Sequence, residues 1–365
     1  MSEYNSIDYQ LMLRAIEMAK SGMFTTAPNP NVGCVIAHGE EIVGEGYHYK
    51  AGEAHAEVNA LKAAGEKAKG ATAYVTLEPC SHYGRTPPCS EALIKAGVSK
   101  VICAMEDPNP KVAGQGIQML RQAGIEVLVG LMEEEAHALN RGFIKLMKTG
   151  LPFVQLKMAA SIDGQTALAN GQSQWITSPL ARSDVQLFRA KACAVLSTSQ
   201  TVVDDNASLN VRWDELPECT QEKYPQNELR QPVRVVLDKS KKLTPTLKLF
   251  NSEGEVIVVN DEEGNLNSPL DSQRQIDLPN LFKSLAKSHH INHVWVEAGS
   301  TLARSLISAG LVDELVLYLA PKIMGSDGKG LFGALGLQSM QDVIDINIQD
   351  VRHVGPDLRL IATLN

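Results

Sequence analysis

His55-Ala56-Glu57, followed by Pro79-Cys80 and then Cys89, sets out one imidazole, two thiols and a carboxylate in an order that suits hydrolytic zinc chemistry. Zinc takes a neutral imidazole and two thiolates and leaves a fourth position for water. Glu57 stands two residues from His55, so it can reach such a water without being a ligand. From there it can carry a proton from the water to a leaving amine. A histidine, two cysteines and a nearby non-ligand glutamate are the parts of a base deaminase. The chemistry expected is removal of an exocyclic amine from a nitrogen heterocycle. Residues Ser81 to Pro88 separate the two cysteines, a longer spacing than the general signature carries. The bland alternative is a zinc-stapled loop, which needs four protein ligands. His48 and His82 lie near enough in sequence to supply the fourth.

These residues have to be held by an ordered scaffold, and the pattern around them is one of alternating strands and helices. Ser6 can cap a first helix with Ile7, Leu11, Ala15 and Met18 on one face, ending at Gly22. Strands are expected at Val32 to Ala37, Glu41 to Gly44, Ala71 to Leu77, Lys100 to Met105 and Ile125 to Val129. Helices are expected from His55 to before Gly70, from Cys89 to Gly97, near Gln115 to Ala123, and as one charged amphipathic helix from Glu133 to Lys148. His55 and Cys89 therefore open helices, whose N-termini carry partial positive charge and favour thiolates.

Gly150-Leu151-Pro152 marks a boundary, after which a second strand–helix series begins. Its expected strands are Phe153 to Ala160, Ala194 to Ser197, Val233 to Asp238, Val256 to Asn260, Val294 to Glu297 and Glu314 to Ala320. Its expected helices are Pro179 to Arg189, Leu281 to Ser288 and Thr301 to Ala309, with long polar loops at Trp213 to Gln231 and Glu262 to Gln273. Alternation of this kind points to α/β layers. No G-x-G-x-x-G follows a strand, which argues against a Rossmann site. The strand–helix turn Glu297-Ala298-Gly299-Ser300-Thr301 offers a different anion site, with free N–H groups at a helix start. Arg189, Asp205 and Arg212 suit a phosphorylated, hydroxylated substrate.

The chain has 365 residues, comfortable for two domains, and no apolar run approaches a membrane span. A net charge of −8 argues against a large nucleic-acid footprint and favours a small nucleotide. The start Met1-Ser2-Glu3-Tyr4-Asn5 shows no secretory pattern, and six cysteines in a chain this long do not read as a disulfide framework. Reduced cysteines available for zinc and no visible signal lead to an expectation of cytoplasmic location. Cys34, Cys103 and Cys193 read as buried small hydrophobes and Cys219 as a bystander.

The segments Pro28-Asn29-Pro30-Asn31-Val32-Gly33, Gly44-Glu45-Gly46-Tyr47-His48, His55-Ala56-Glu57-Val58 and Glu78 to Cys89 closely resemble one family. So do Lys157 to Gly164, Ser173-Gln174-Trp175-Ile176-Thr177, Glu297 to Leu302 and Ala320 to Gly325. This is the bifunctional riboflavin-biosynthesis family that joins a pyrimidine deaminase to a ribosyl-pyrimidine reductase, and in it the long cysteine spacing is normal. The resemblance covers nearly the whole chain. It implies a cytidine-deaminase-like α/β/α domain at 1–149 and a dihydrofolate-reductase-like α/β domain at 150–365. The first would deaminate 2,5-diamino-6-ribosylamino-4(3H)-pyrimidinone 5′-phosphate; the second would reduce the ribosyl group to ribityl with NADPH. The implied zinc ligands are His55, Cys80 and Cys89, with Glu57 as proton shuttle and Asn29, His48 and His82 around the pyrimidine. Ala159, Trp175, Thr201, Asp205 and the turn Gly299, Ser300, Thr301, Leu302, Ala303, Arg304 and Ser305 match cofactor positions. Ser173, Arg189, Leu209, Arg212 and Glu297 match substrate positions, with Arg189 and Arg212 holding the phosphate or ribose hydroxyls. Such families commonly self-associate, so a dimer or tetramer is expected. One departure is visible: aligned on Leu209, this chain has Asp205-Asn206-Ala207 where the family usually carries two aspartates and a proline. Losing that proline is expected to loosen the loop. Two rival readings are a nucleic-acid-editing deaminase with an appended binding domain, and a zinc-stabilised ligand-binding protein with an inactive reductase half.

Overall fold

The computed structural model describes residues 4–83, 87–110, 112–260, 266–267, 270 and 275–364. The middle of the cysteine loop, Gly84-Arg85-Thr86, and most of the loop expected at Glu262 to Gln273 lie outside the described residues. The chain forms two compact units, Met1–Gly150 and Leu151–Asn365.

The first unit is a three-layer sandwich. Helix α1 (Ser6–Lys20) leads into strands β1 (Gly33–His38) and β2 (Glu41–Tyr47), then α2 (Ala56–Ala64), β3 (Thr72–Val75), α3 (Cys89–Ala96), β4 (Lys100–Cys103), α4 (Gln115–Gln122) and β5 (Glu126–Val129). Two helices, α5 (Glu133–Leu139) and α6 (Arg141–Thr149), close the unit. The sheet order is β2-β1-β3-β4-β5, with β1 antiparallel to both neighbours and β3, β4 and β5 parallel. Alternation along β1 feeds two cores. Cys34 and Ile36 pack with Ala56, Ala60, Leu93 and Leu120 on one face, while Val35 and Ala37 pack with Met12, Ile16 and Ile144 on the other. Helix α2 presses directly on β2: a Cβ on Gly46 would stand 2.4 Å from the Ala60 nitrogen, so glycine is what permits the approach.

Two local expectations change. Asn5, not Ser6, caps α1, accepting from the Ile7 and Asp8 amides while Asp8 returns the bond in a capping box. The expected single helix over Glu133 to Lys148 is two, because Asn140 leaves helical geometry to bond elsewhere. Its side chain accepts from the Asn31 amide at 2.7 Å and donates to the Asn31 carbonyl at 2.9 Å.

The second unit has strands β6 (Phe153–Ser161), β7 (Gln165–Ala167), β8 (Ala194–Thr198), β9 (Val233–Leu237), β10 (Val256–Asn260), β11 (Leu266–Asn267), β12 (His293–Glu297), β13 (Glu314–Ala320), β14 (Lys329–Gly330), β15 (Ile346–Val354) and β16 (Asp357–Leu364). Its helices are α7 (Pro179–Lys191), α8 (Ser199–Asp205), α9 (Glu218–Gln221), α10 (Leu278–His289) and α11 (Ser300–Ser308). Nine strands form one sheet, β11-β10-β9-β8-β12-β6-β13-β16-β15, parallel from β11 to β13 and antiparallel at the β16 and β15 edge; β7 and β14 pair separately. Helix α7 covers a core of Val195, Val236, Trp295, Val316 and Tyr318. Helix α8, helix α9 and the β15–β16 hairpin are additions to what the pattern led one to expect. The hairpin's alternation of Ile346, Ile348 and then Leu358, Leu360, Ala362 around Gly355-Pro356 is its sequence signal. Cys34, Cys103 and Cys193 are buried and Cys219 is exposed. No described helix is long and apolar enough to cross a membrane.

Candidate metal centre and reductase site

His55 caps α2, Cys89 is the first residue of α3, and Cys80 lies in the turn before it. Their ligand atoms all fall within 4.8 Å of one another. His55 Nδ1 is 3.2 Å from Cys89 Sγ and 3.6 Å from Cys80 Sγ. Bonds of about 2.3 Å to sulfur and about 2.0 Å to nitrogen at tetrahedral angles imply edges of roughly 3.5 Å, so the spacing and the donor set fit zinc. The Cys80 thiol is drawn down to about 4, first by the hydrogen bond from Cys89 and then by His55. The hydrogen bond to Cys80 and burial push the Cys89 thiol the opposite way. The Cys89 amide, at the start of α3, also donates to Cys80 Sγ at 3.3 Å.

Glu57, in the first turn of α2, is 3% exposed and beside Cys89. Burial raises its carboxyl to about 7, a value suited to taking and returning a proton near neutrality. His48 is not a fourth ligand. Its Nδ1–H donates to the Ala54 carbonyl at 3.1 Å and its Nε2 accepts from Asn29 Nδ2 at 3.0 Å. Burial lowers its pKa, and its neutral ring packs edge-on to His55 at 5.4 Å between centroids. Asn29 and His48 thus stand together beside the cluster. His82 is exposed and outside it, so among the described residues three ligands converge.

One buried residue here escaped the sequence reading. The Glu78 carboxylate accepts from the amides of Asp107 (3.1 Å), Gly114 (2.9 Å), Gly116 (2.8 Å) and Ile117 (3.3 Å). It caps α4 and thereby pins the turn that carries Cys80. A Cβ on Gly116 would stand 2.0 Å from the Pro79 carbonyl, so the contact requires glycine.

In the second unit, strand register does the assembling. Glu297, the last residue of β12, lies directly beside Lys157 in the middle of the parallel strand β6; the C-terminal end of such a strand is where α/β sheets place ligands. Glu297 accepts from Arg189 Nε at 2.5 Å and NH2 at 2.9 Å, and from the Trp295 indole at 2.8 Å. Burial alone would raise its carboxyl, but Arg189 outweighs it and holds the group at about 2. Burial lowers the Lys157 ammonium, which also feels Glu297, Arg189 and Asp205. A lysine inside the apolar strand Val154, Leu156, Met158, Ala160 was the available signal. Arg189 is buried, and its third nitrogen donates to the Asn210 carbonyl at 2.9 Å. It thereby orients Glu297. Arg212 is half-exposed and pairs with Glu215 at 2.6 Å, a bond that solvent competes for.

The expected cofactor residues gather in three places. Gln174 Nε2 donates to Asp205 Oδ1 at 2.6 Å, which ties the Ser173–Trp175 segment to the end of α8; Asp205 is exposed. Trp175 is 63% exposed with the Arg182 guanidinium 4.4 Å over its ring. Thr201 bonds Thr198, the cap of α8. Ala159 is half-buried on β6. At α11, Gly299 makes no side-chain cap, and among the described residues nothing beyond its chain neighbours lies within 4 Å of a Cβ placed on it. The helix start thus offers N–H groups to an anion, which fits the phosphates of NADPH. Leu302 and Ala303 point into the core, so they can meet a ligand only through their backbone.

Residues 5–105 match the cytidine and deoxycytidylate deaminase zinc-binding region, and residues 152–360 match the RibD C-terminal domain. The chain is 54% identical to the riboflavin biosynthesis protein RibD of Escherichia coli (strain K12) over 361 residues, covering 97% of this chain and 98% of that one. It belongs to the RibD family. RibD of Haemophilus influenzae is 52% identical over 100% of this chain and 99% of its own. The solved structure of Acinetobacter baumannii RibD, form 1, superposes with a TM-score of 0.90 at 44% identity, covering 98% and 99% of the two chains. A Thermotoga maritima diaminohydroxyphosphoribosylaminopyrimidine deaminase/5-amino-6-(5-phosphoribosylamino)uracil reductase gives 0.84 at 33% identity, covering 98% and 99%.

Within a RibD chain the departure at Asn206 and Ala207 has a structural answer. Asn206 takes a left-handed conformation (φ 45°) at the end of α8, which asparagine tolerates better than most residues. Its Oδ1 accepts from the Lys248 amide at 3.0 Å. That bond fastens the loop at the residue next to Ala207, which stands where the proline is missing.

Proposed function

We propose that the unit at 1–149 deaminates 2,5-diamino-6-ribosylamino-4(3H)-pyrimidinone 5′-phosphate and that 150–365 then reduces the product's ribosyl chain. The observation that carries this reading is the convergence of His55, Cys80 and Cys89 beside the buried carboxyl of Glu57, in a chain of the RibD family. His55, Cys80 and Cys89 would hold zinc, which when bound supplies a Lewis acid to activate water. Glu57 takes the proton from the attacking water and delivers it to the departing nitrogen, so that the amine leaves as ammonia and its carbon becomes a carbonyl. Asn29 and His48 form the wall against which the pyrimidine lies, and His82 stands at its rim.

For the second step, the Gly299–Ser305 turn, Ala159, Trp175, Thr201 and Asp205 would hold NADPH, which when bound would supply hydride. Lys157, rather than Asp205, gives the proton that opens the ribose ring at its oxygen. Glu297, locked by Arg189, orients the sugar and stabilises the ammonium until the proton leaves. Ser173, Leu209 and Arg212 bound the substrate, with Arg212 on its phosphate. The substrate is a small ribotide; a net charge of −8 argues against a nucleic-acid partner. Location is proposed as cytoplasmic. Self-association, as a dimer or tetramer, is proposed through the C-terminal hairpin, where Ile346, Ile348 and Val351 stand exposed on a common apolar face.

The test is a coupled assay on zinc-loaded protein with the diaminopyrimidine ribotide. Ammonia released without NADPH, followed by NADPH oxidation only after deamination, is the expected result. Zinc bound with neither signal would overturn the substrate assignment.

A further inference from the structure

Leu209 has φ 57°, a left-handed backbone that a bulky residue without help does not hold, and it lies in the middle of the loop between α8 and Arg212. That loop is gripped at nearly every residue. Asn206 accepts from the Lys248 amide, and the Ala207 amide bonds the Val202 carbonyl at 3.1 Å. Arg234 donates to the Ser208 carbonyl at 3.2 Å. Arg189 donates to the Asn210 carbonyl. Gln231 bonds both sides of Val211, accepting from its amide at 2.8 Å and donating to its carbonyl at 3.0 Å. Gln186 accepts from the Arg212 amide at 3.1 Å.

Arg234 has a further peculiarity. It is 1% exposed, and its hydrogen-bond partners are carbonyls and one hydroxyl, not a carboxylate. Besides Ser208 it reaches Leu249 O and Ser252 Oγ, both at 2.6 Å, and the carbonyls of Ser252 and Gly254. A buried guanidinium is costly unless its donors find acceptors, and here the two terminal nitrogens find them by joining two loops, while Nε has no partner among the described residues. Gly254 packs between the clamp residues: a Cβ there would be 3.1 Å from Gln231 Cβ and 3.6 Å from Arg234 Nε.

We infer that Arg234 and Gln231, neither of them among the proposed ligand-contact residues, are positioning residues for the reductase reaction: with the 248–254 loop they clamp the 206–212 segment in its strained form and so fix Arg212 and the carbonyl that grips Arg189. The inference rests on the reading that this segment bounds the ribotide. A preset loop spares the substrate the cost of ordering it, so the clamp acts on binding. Because the same segment holds Arg189 through Asn210, the clamp also reaches Glu297.

The deciding experiment uses Gln231→Ala in the full chain, which removes both bonds to Val211 and adds no charge. The KM for the deaminated ribotide is expected to rise about tenfold, with kcat much less affected. Amide exchange across 206–212 is expected to quicken, and ammonia release from the other unit to stay as it was. Arg234→Lys, one ammonium in place of a five-bonded fork, is expected to show the same pattern more strongly; if it fails to fold, Gln231→Ala still decides. Faster exchange or a lower melting temperature with an unchanged KM would make the clamp merely structural and overturn the inference. So would unchanged exchange. Failure of the underlying functional reading is distinguishable, because it appears in the unaltered protein as no NADPH oxidation with any deaminated ribotide.

Discussion

In the deaminase unit each metal ligand sits at a helix start or in the turn beside one, whereas in the reductase unit Glu297 and Lys157 meet only because β12 pairs with β6. The first site is written in short sequence spacings and needs little more than correct helix ends. The second is made by sheet register, and its loops are then tied by Arg189, Gln231 and Arg234 from distant elements. Here two helix starts and one turn bring three ligands together, although His55 is 25 residues from Cys80 and 34 from Cys89. Chemistry that must align a sugar with a cofactor uses a broad sheet edge, and spreads its positioning over many residues.

That contrast can be broken in order of expected effect. Glu57→Gln should cut ammonia release by roughly 10²–10⁴-fold while zinc content and NADPH oxidation with supplied deaminated ribotide are kept. Metal analysis beside both assays checks this, and turnover that stays normal would remove Glu57 from the mechanism. Lys157→Met is the mirror experiment, with NADPH oxidation falling by about 10²-fold or more and ammonia release untouched. Equal loss of both activities would mean that the two sites are not independent. Glu78→Gln should weaken zinc retention by roughly 10–100-fold, the usual cost of losing a residue behind the ligands. Competition with a chelator reads it directly; retention equal to that of the parent would show the Cys80 turn to be held by other means.

The smallest effect concerns stability and pH. The Glu297 carboxyl is held at about 2 against an ordinary 4.5. Its folded value is depressed, so the stability it contributes is present above 4.5 and is lost as pH falls toward 2. The amount is roughly 3 kcal/mol at most. The stability difference between the parent and Glu297→Gln should therefore narrow between pH 4.5 and 2, as followed by denaturant melts of the reductase unit. A gap that stays constant down to pH 2 would contradict the pairing with Arg189.

What could be read from sequence follows the same division. His55, Glu57, Cys80 and Cys89 were legible because their spacing is itself the signal. Most strands and helices were legible because apolar periodicity survives in each. Asn140 was not: nothing local reveals that its side chain leaves the helix to bond Asn31. Glu78 was not, because its four amide partners come from a stretch folded back over it. Lys157 stood in plain view in an apolar strand, but its meaning depends on which strand lies beside it. Arg189 was legible as a cation, but only the folded chain shows it engaged by Glu297 and Asn210.

The anchoring of the Cys80 turn by Glu78 bears on how the protein acquires its ion. In small zinc modules the metal is the scaffold, and uptake and folding are one event. Here main-chain amides and an apolar core supply supports that do not run through the metal. Uptake and folding can then be separate events, and metallation resembles seating a key in a lock.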